Sequence, residues 1–332
     1  MPSDSTTPHP PGTRVAVRYV LADPDAATGA HLTDVTGTLV EAGAERVVVD
    51  SRRGRVVVPR EAVVATRVIP PRPSRRGAPH RALSIEDLER VMTGAWPPRE
   101  RDRLGDWVLR AGLGFTARAN SALAVGSPDR PLPAAVDAVT VWYSERGLRP
   151  LLTVPYPVGL PLADDEVAAA AIAAGWVADA EVLVQTAATR TVAAACAQEG
   201  APVELTDTMP ADWYAVLSSV RAAPRAAAEA VLHGSPAQRF ALVRDDEGSV
   251  RAIGRLGVSD GWGGVGAMWV APGSRGGGVG RAVLGALAGA ASDLGCVSLH
   301  LQVESANTRA RSLYEQVGFT THHAYAYLAP PG

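Results

Sequence analysis

The sequence predicts an α/β (α+β) chain in three blocks: a small all-β domain, then two halves of similar element order, each with a mixed central sheet. Three observations carry this. Short Val/Thr-rich runs separated by turn signals fill residues 13–69. Helical and strand patterns then alternate twice, over 80–190 and over 203–332. The stretch PPRPSRRGAP at 70–79 is a stiff, polar linker by composition and separates the first block from the rest.

In the first block, TRVAVRYVL, TDVTGTLVEA, ERVVVDS and GRVVVPREAVVATRVI read as strands, with SRRG as a hairpin turn between two Val-rich runs. This much chain predicts an SH3-like barrel. Its arginines, Arg46, Arg52, Arg53, Arg55 and Arg60, either guard strand edges or meet an acidic partner. In the second block, Ser84 with Asp87 three residues later resembles a capping box, and Ile85, Leu88 and Val91 share a helical face. DWVLRAGLGF and TARANSALAV read as a hairpin, LPAAVDAVTVWYSERG as a helix ending at Gly147, LRPLLTVP as a strand, ADDEVAAAAIAAG as a helix and AEVLVQTA as a strand. A looser connection covers Ala195–Pro210. In the third block, DWYAVLSSV and RAAAEAVL are helical. QRFALVRDD and SVRAIGRLGVSD are strands joined by the turn DDEG, and VGAMWVAP is a further strand. Then come a helix over Gly278–Leu294, the strand CVSLHLQVE, the helix ANTRARSLYEQVG and the strand FTTHHAYAYLA. The order of elements makes the last two blocks candidates for tandem copies of one unit.

Composition narrows the function classes. The formal net charge is -2 over 332 residues, so nothing in the global balance recruits nucleic acid or a membrane. Every one of the 32 basic residues is arginine, so no lysine side chain of this chain can accept an acyl group. Cys196 and Cys296 sit among apolar residues without metal-ligand or redox spacing, which predicts reduced thiols, no metal site and a cytoplasmic protein. The first residues show no basic-then-apolar leader pattern, and the Ala-rich runs are broken before membrane-spanning length.

The chemistry is written in APGSRGGGVGRAVLGALAGAASDLG, residues 271–295. The spacing excludes two familiar phosphate loops. A Walker loop needs a lysine that the chain lacks, and neither Gly276 nor Gly278 starts a GxGxxG fingerprint. What remains is a strand, a Pro-containing turn and RxxGxG opening a helix. Small residues there leave backbone N–H groups accessible, the helix dipole favours an anion, and Arg275 and Arg281 add charge. Flexibility alone is the competing reading. A second motif follows in VESANTRARSLYEQVGF, residues 303–319: a strand end, Asn307, then Tyr314 about two helical turns on.

WVAPGSRGGGVGRAVL followed by VESANTRARSLYEQVGF resembles the GNAT superfamily of acyl-CoA-dependent N-acyltransferases, over roughly residues 238–328. The resemblance implies acetyl-CoA as co-substrate. Its pantetheine arm would pair with the main chain of Met268, Trp269 and Val270. Its pyrophosphate would lie on the amides of Arg275, Gly276, Gly277, Gly278, Val279, Gly280 and Arg281, with Asn307 lining the coenzyme. Tyr314 would be the general acid for the leaving thiolate, since a phenol stays protonated at neutral pH. The middle block, with DWVLRAGLGFTARANSAL, resembles the degenerate GNAT-like half of actinobacterial histone-acetyltransferase-like proteins that also carry an SH3-like front domain. It has Asp106 where those often have Gly, and it has no RxxGxG. Arg118 and Asn120 are candidates for lining an acceptor cleft, with a buried pair holding the hairpin as the alternative.

The general base is not obvious. The segment 261–274 holds no Asp, Glu or His, which leaves Glu304 as the candidate, beside Asp260, His322, His323 or a water relay. His300 alternates with Leu299 and Leu301 and reads as packing or surface. Neither cysteine has an evident His partner, which favours direct transfer without a covalent enzyme intermediate. The expected activity is N-acetylation of a primary amine, either a small metabolite or a protein lysine or N-terminus. The barrel would recruit a partner or serve as scaffold. The competing classes are a non-catalytic acyl-CoA-binding regulatory module and a nucleic-acid-binding barrel, the latter disfavoured by charge.

Overall fold

A computed structural model describes residues 9, 12–22, 31–51, 54–68, 79–197, 201–221 and 224–331. Two compact units result, residues 1–72 and 73–332. The linker expected at 70–79 and the arginines Arg52 and Arg53 of the expected hairpin turn fall outside the described residues, apart from Pro79.

The first unit is one antiparallel sheet with strand order β4-β3-β2-β1-β5. Its strands are β1 (Arg14–Val20), β2 (Leu32–Ala42), β3 (Arg46–Ser51), β4 (Gly54–Pro59) and β5 (Val63–Val68). The run read as one strand from Gly54 is two, because a 3-10 turn at Arg60–Ala62 turns the chain between them. Alternation sends Val15, Val17, Leu39, Val47, Val49 and Val58 into a small core. Arg46 pairs with Glu41 and Arg55 with Asp50, so two of the edge arginines are already answered within the sheet. Such exposed pairs add less than about 1 kcal/mol each.

The second unit holds α1 (Ile85–Ala95), β6 (Glu100–Leu104), β7 (Trp107–Ala111), β8 (Ala122–Leu123), α2 (Leu132–Ser144), β9 (Leu152–Tyr156), α3 (Glu166–Ala173), β10 (Val177–Ala178), β11 (Val182–Ala188) and α4 (Thr189–Ala195). It continues with β12 (Glu204–Thr206), α5 (Ala211–Val220), α6 (Arg225–Leu232), β13 (Ala237–Arg244), β14 (Val250–Ser259), β15 (Trp262–Val270), α7 (Val279–Asp293), β16 (Ser298–Glu304), α8 (Thr308–Gln316) and β17 (Thr320–Ala329). Ser84 caps α1 by accepting from the Asp87 amide, as its position predicts.

The two halves repeat one pattern. An antiparallel run leads to a parallel pair, β8 with β9 and β15 with β16, and each pair is bridged by a helix, α2 or α7. The mixed sheets expected of the two halves are continuous: all of these strands form a single 12-stranded sheet, ordered β12-β13-β14-β15-β16-β11-β17-β9-β8-β7-β6, with β10 on β17. The halves exchange their last strands. β11 of the first half lies on β16, and β17 of the second lies on β9. β11 is therefore central, and Val182–Ala187 are buried on both faces.

Helices α2, α3, α4 and α7 cover one face in a continuous core that includes Trp107, Tyr143, Leu287, Val317 and Phe319. On the other face, α5 and α6 pack through Trp213, Leu217 and Val231 onto Phe240 and Ile253. On that same face, α1 packs through Leu88, Val91 and Met92 onto Val184, Trp262 and Tyr325. A hairpin was expected from DWVLRAGLGF with TARANSALAV. β7 instead pairs along its length with the charged segment ERDRL (β6) and meets β8 at one position only, Val108 with Leu123. β6 is an edge strand with four exposed residues, and its charges suit that place. The connection expected to be loose, Ala195–Pro210, starts at the last residue of α4 and carries β12.

Candidate functional site

The site begins where a parallel pair comes apart. β15 and β16 pair only from Trp262 with Ser298 to Val265 with Leu301. Beyond that, β15 runs on to Val270 and β16 to Glu304, so their facing edges part. On its other side β15 carries a bulge, with Arg255 opposite Gly266 and Ile253 opposite Trp269. Gly254 thus faces two residues, and Ala267 takes φ 50°, the left-handed region rarely used by a residue with a side chain. A cavity of about 650 Å³ fills the gap. Gly266–Trp269 and Leu301–Glu304 form its two strand edges, and Asn307, Ala310 and Tyr314 line it from α8. Along β16 the side chains alternate. Leu301 and Val303 join the core with α7 and α8, whereas Gln302 turns to α1 and donates to Met92 Sδ. The cavity therefore opens to both faces of the sheet. On the second face it is walled by Trp96, Phe115, Arg118, Gln302, Tyr325 and Tyr327.

Past Val270 the chain turns through Pro272–Ser274 into the glycine run, and α7 starts with Gly278 as its cap at φ 79°. Gly276 also has positive φ, 90°, so both turns suit residues without a side chain. Among the described residues, the amides of Gly276, Gly278, Val279, Gly280 and Arg281 have no acceptor within the protein, while Gly277 donates weakly to the Ser274 carbonyl. Free amides gathered at the positive end of a 15-residue helix make an anion cradle. Gly280 is hemmed in: a Cβ there would lie 3.3 Å from Val270. Arg275 donates to the Val270 carbonyl, and Arg281 donates to the Ala195 carbonyl and to Gln316. Both arginines thus bind structure as well as lending charge.

Asn307 caps α8 by accepting from the Ala310 amide. Tyr314 is almost fully buried, packs edge-on against Phe319, and keeps its hydroxyl free of any hydrogen bond within the described residues. Burial pushes its pKa up to about 12, so the phenol is protonated at all ordinary pH values.

Of the residues considered as base, only Glu304 lines the cavity, exposed at its rim. Asp260 lies in the β14–β15 turn, at the opposite end of β15 from the parted edges, and accepts from Ser259. His322 and His323 are engaged elsewhere: Leu83 O, His322, His323 and Glu89 form a continuous chain of contacts of 2.9–3.0 Å. A carbonyl can only accept, so His322 donates from Nε2 and its Nδ1 accepts from His323. The buried His323–Glu89 contact ties β17 to α1. His300 is buried without a partner for Nε2, and burial lowers its pKa to about 3, with Arg118 adding to the effect.

Arg118 lines the cavity, and Asn120 does not. Asn120 accepts from the Gly112 and Gly114 amides and donates to the Phe115 and Thr116 carbonyls. All of its capacity goes to shaping the loop that presents Arg118. Trp96, Gln302, Tyr325 and Tyr327 were not anticipated as lining residues. The alternation in HHAYAYLA held the signal for the two tyrosines, since it places His323, Tyr325 and Tyr327 on one face.

A family model described as "Probable histone acetyltransferase Rv0428c C-terminal" matches residues 83–328. The chain belongs to this family. A second model, the "Rv0428c N-terminal Sm-like domain", matches residues 9–67 and describes the five-stranded unit as Sm-like. The chain is 36% identical over 156 residues to "Probable histone acetyltransferase Rv0428c" of Mycobacterium tuberculosis, 46% of this chain and 47% of that protein. The match thus spans about half the length of that relative. It is 27% identical over 248 residues to "Uncharacterized N-acetyltransferase YobR" of Bacillus subtilis, covering 72% of this chain and 97% of that one. Among solved structures, a GCN5-related N-acetyltransferase from Kribbella flavida superposes with TM-score 0.58 at 14% identity, covering 76% of this chain and 97% of that one. A tandem GNAT protein from the clavulanic acid pathway superposes with TM-score 0.50 at 14% identity, covering 76% and 90%. The fold of 73–332 is thus that of GNAT-type acetyltransferases, in tandem form. Among the described residues no cluster of metal-ligating side chains occurs, and no helix is long and apolar enough to cross a membrane.

Proposed function

We propose that this protein is an acetyl-CoA-dependent N-acetyltransferase that transfers the acetyl group directly to a primary amine, with the reaction at the parted edges of β15 and β16. The observation that carries this is that three features occur together on β15, the turn that follows it and the adjoining helices. Free amides form a cradle at the start of α7, an unpaired β15 edge can hydrogen-bond an extended pantetheine arm, and a protonated Tyr314 has an uncommitted hydroxyl. The coenzyme would enter from the α7–α8 face, with its pyrophosphate on Arg275–Arg281, its arm along Met268–Val270, and Asn307 beside it. The acceptor would come from the Trp96–Tyr325 face.

In the transfer, the amine nitrogen forms a bond to the acetyl carbon while the carbon–sulfur bond breaks. Tyr314 gives its proton to the departing sulfur, and the amine's proton leaves to Glu304 at the rim or to water. The cysteines take no part as nucleophiles in this reading. Burial raises both thiol pKa values, Cys296 to about 11. The Sm-like unit serves as scaffold or recruits a partner, and the buried free thiols fit a cytoplasmic setting.

Thiol release from acetyl-CoA across a panel of amines, with calorimetric CoA binding alongside, tests the proposal. Tyr314→Phe should lower kcat about 10²-fold or more and leave CoA affinity unchanged. Tight CoA binding without turnover on any amine would favour the regulatory-module reading.

A further inference from the structure

The wall of the cleft contributed by the first half holds positive charge that no described residue answers. Arg118 lies half-buried on the short turn Ala117–Ala119, fixed in place by the Asn120 hydrogen bonds. Its guanidinium packs 5.1 Å from the Trp96 ring centroid. Among the described residues it makes no hydrogen bond and no ion pair. The same ring carries a second guanidinium, that of Arg255, also at 5.1 Å. Arg255 is fully buried and donates to the Leu232 and Ala95 carbonyls and to Ser235, all neutral partners. Two cations thus share one indole, and among the described residues no carboxylate pairs with either.

The neighbours respond to this field. Beyond the larger effect of burial, Arg118 lowers the pKa values of both His300 and Arg255. The carboxylates that line the cavity, Asp179 and Glu304, are exposed at its edge, as is the other lining cation, Arg221. The rest of the acceptor wall is aromatic or neutral: Trp96, Phe115, Gln302, Tyr325 and Tyr327. Trp96 lies directly against the β15 bulge, since a Cβ on Gly266 would sit 3.1 Å from its ring. An anion held by Arg118 is therefore one indole away from the parted strand edges.

We propose that the acceptor is a primary amine that also carries an anionic group, a carboxylate or a phosphate, which the Arg118 guanidinium grips over Trp96. The inference rests on the proposed acetyl transfer at this cleft and names the substrate class. The planar fork of a guanidinium binds either oxyanion in bidentate fashion, and does so more strongly in a half-buried aromatic wall than in open water. A lysine flanked by other basic residues, as in a basic protein tail, would bring like charge to this wall. Because the chain has no lysine, the choice of arginine at 118 says nothing; its placement without a counter-ion does.

The test is a kinetic panel on the full chain at saturating acetyl-CoA. It comprises the common α-amino acids, ω-aminocarboxylates, aminoalkyl phosphates, unsubstituted alkylamines of matching length, amino-acid amides and an arginine- and lysine-rich peptide. The expected result is a kcat/KM for aminocarboxylates or for aminoalkyl phosphates about tenfold or more above that of the matching neutral amines. The arm that responds identifies the anion. Arg118→Gln should remove the preference mainly through KM, Arg118→Lys should keep part of it, and neither should change the calorimetric Kd for acetyl-CoA. Equal or better turnover of neutral amines or of the basic peptide, with acetyl-CoA bound normally, overturns this inference and leaves the acetyltransferase reading standing. Normal acetyl-CoA binding with no Arg118-dependent reaction of any anionic amine overturns it as well. Failure to bind acetyl-CoA at all removes the reading on which it rests.

Discussion

The two halves of the 73–332 unit build the same strand, loop and helix between their parallel strands, and they treat the backbone of that loop in opposite ways. In the second half, the segment from β15 to α7 leaves the amides of Gly276 and Gly278–Arg281 without acceptors. In the first half, the segment from β8 to α2 uses several of its amides internally. Ala124 donates to the Thr153 carbonyl, Val125 to Leu123, Ser127 to the Asp106 carboxylate and Asp129 to the Ser127 hydroxyl. The helix that follows begins Pro131-Leu132-Pro133, so two of its first positions have no N–H at all. Asp106 also puts a negative charge beside that loop. Both halves thus share the scaffold, and in the proposed reading only the second offers an anion site. In that reading, the capacity to hold a pyrophosphate rests on a handful of amides and one carboxylate rather than on the sheet.

The comparison can be broken most sharply by making the second loop resemble the first. Gly278→Asp places a carboxylate at the start of α7, at a left-handed position that Asp tolerates better than most residues. CoA affinity measured by calorimetry should weaken about 100-fold or more, with the circular dichroism spectrum unchanged, since like charges brought together cost several kcal/mol. The removal of one charge-assisted contact is milder. Arg275→Ala should weaken CoA binding about 3- to 10-fold and flatten its dependence on salt.

The pH dependence separates a structural histidine from a catalytic one. His300 has its folded pKa lowered from 6.5 to about 3, so the unfolded chain binds its proton first. Stability from this group is full above about pH 6.5 and is lost as pH falls toward 3, by up to about 1.4 kcal/mol per pH unit. Denaturant unfolding of His300→Gln should show a shallower acid dependence than the parent, and the high-pH arm of kcat should be the same in both. The smallest effect is expected in the first half. Asp106→Gly should shift stability by no more than about 1 kcal/mol and should create no new CoA site, because the prolines and internal hydrogen bonds of that loop remain.

Much of this difference was written in the sequence, since glycine and proline act on the backbone locally. RGGGVGR and the later Asn307 and Tyr314 are short-range patterns, and their place on a strand end, a helix start and a following helix could be read directly. The exchange of β11 and β17 could not. Strand pairing across more than a hundred residues leaves no local mark, and the central burial of β11 reads the same beside either neighbour. β6 was missed because an edge strand of charged residues lacks the apolar alternation by which strands are recognised. Trp96 was missed because its role comes from packing against the Gly266 bulge of the other half. Asn120 drew attention as a polar residue in a cleft-like loop, and the structure spends it on four backbone groups of that loop.

The central claim is that one loop, and not its counterpart, receives the coenzyme. Isothermal titration of the full chain with CoA tests this through its stoichiometry. The account predicts one CoA per chain in the parent protein and none at the same concentrations in Gly278→Asp. Two sites per chain, or one site that persists with unchanged affinity in Gly278→Asp, would contradict it.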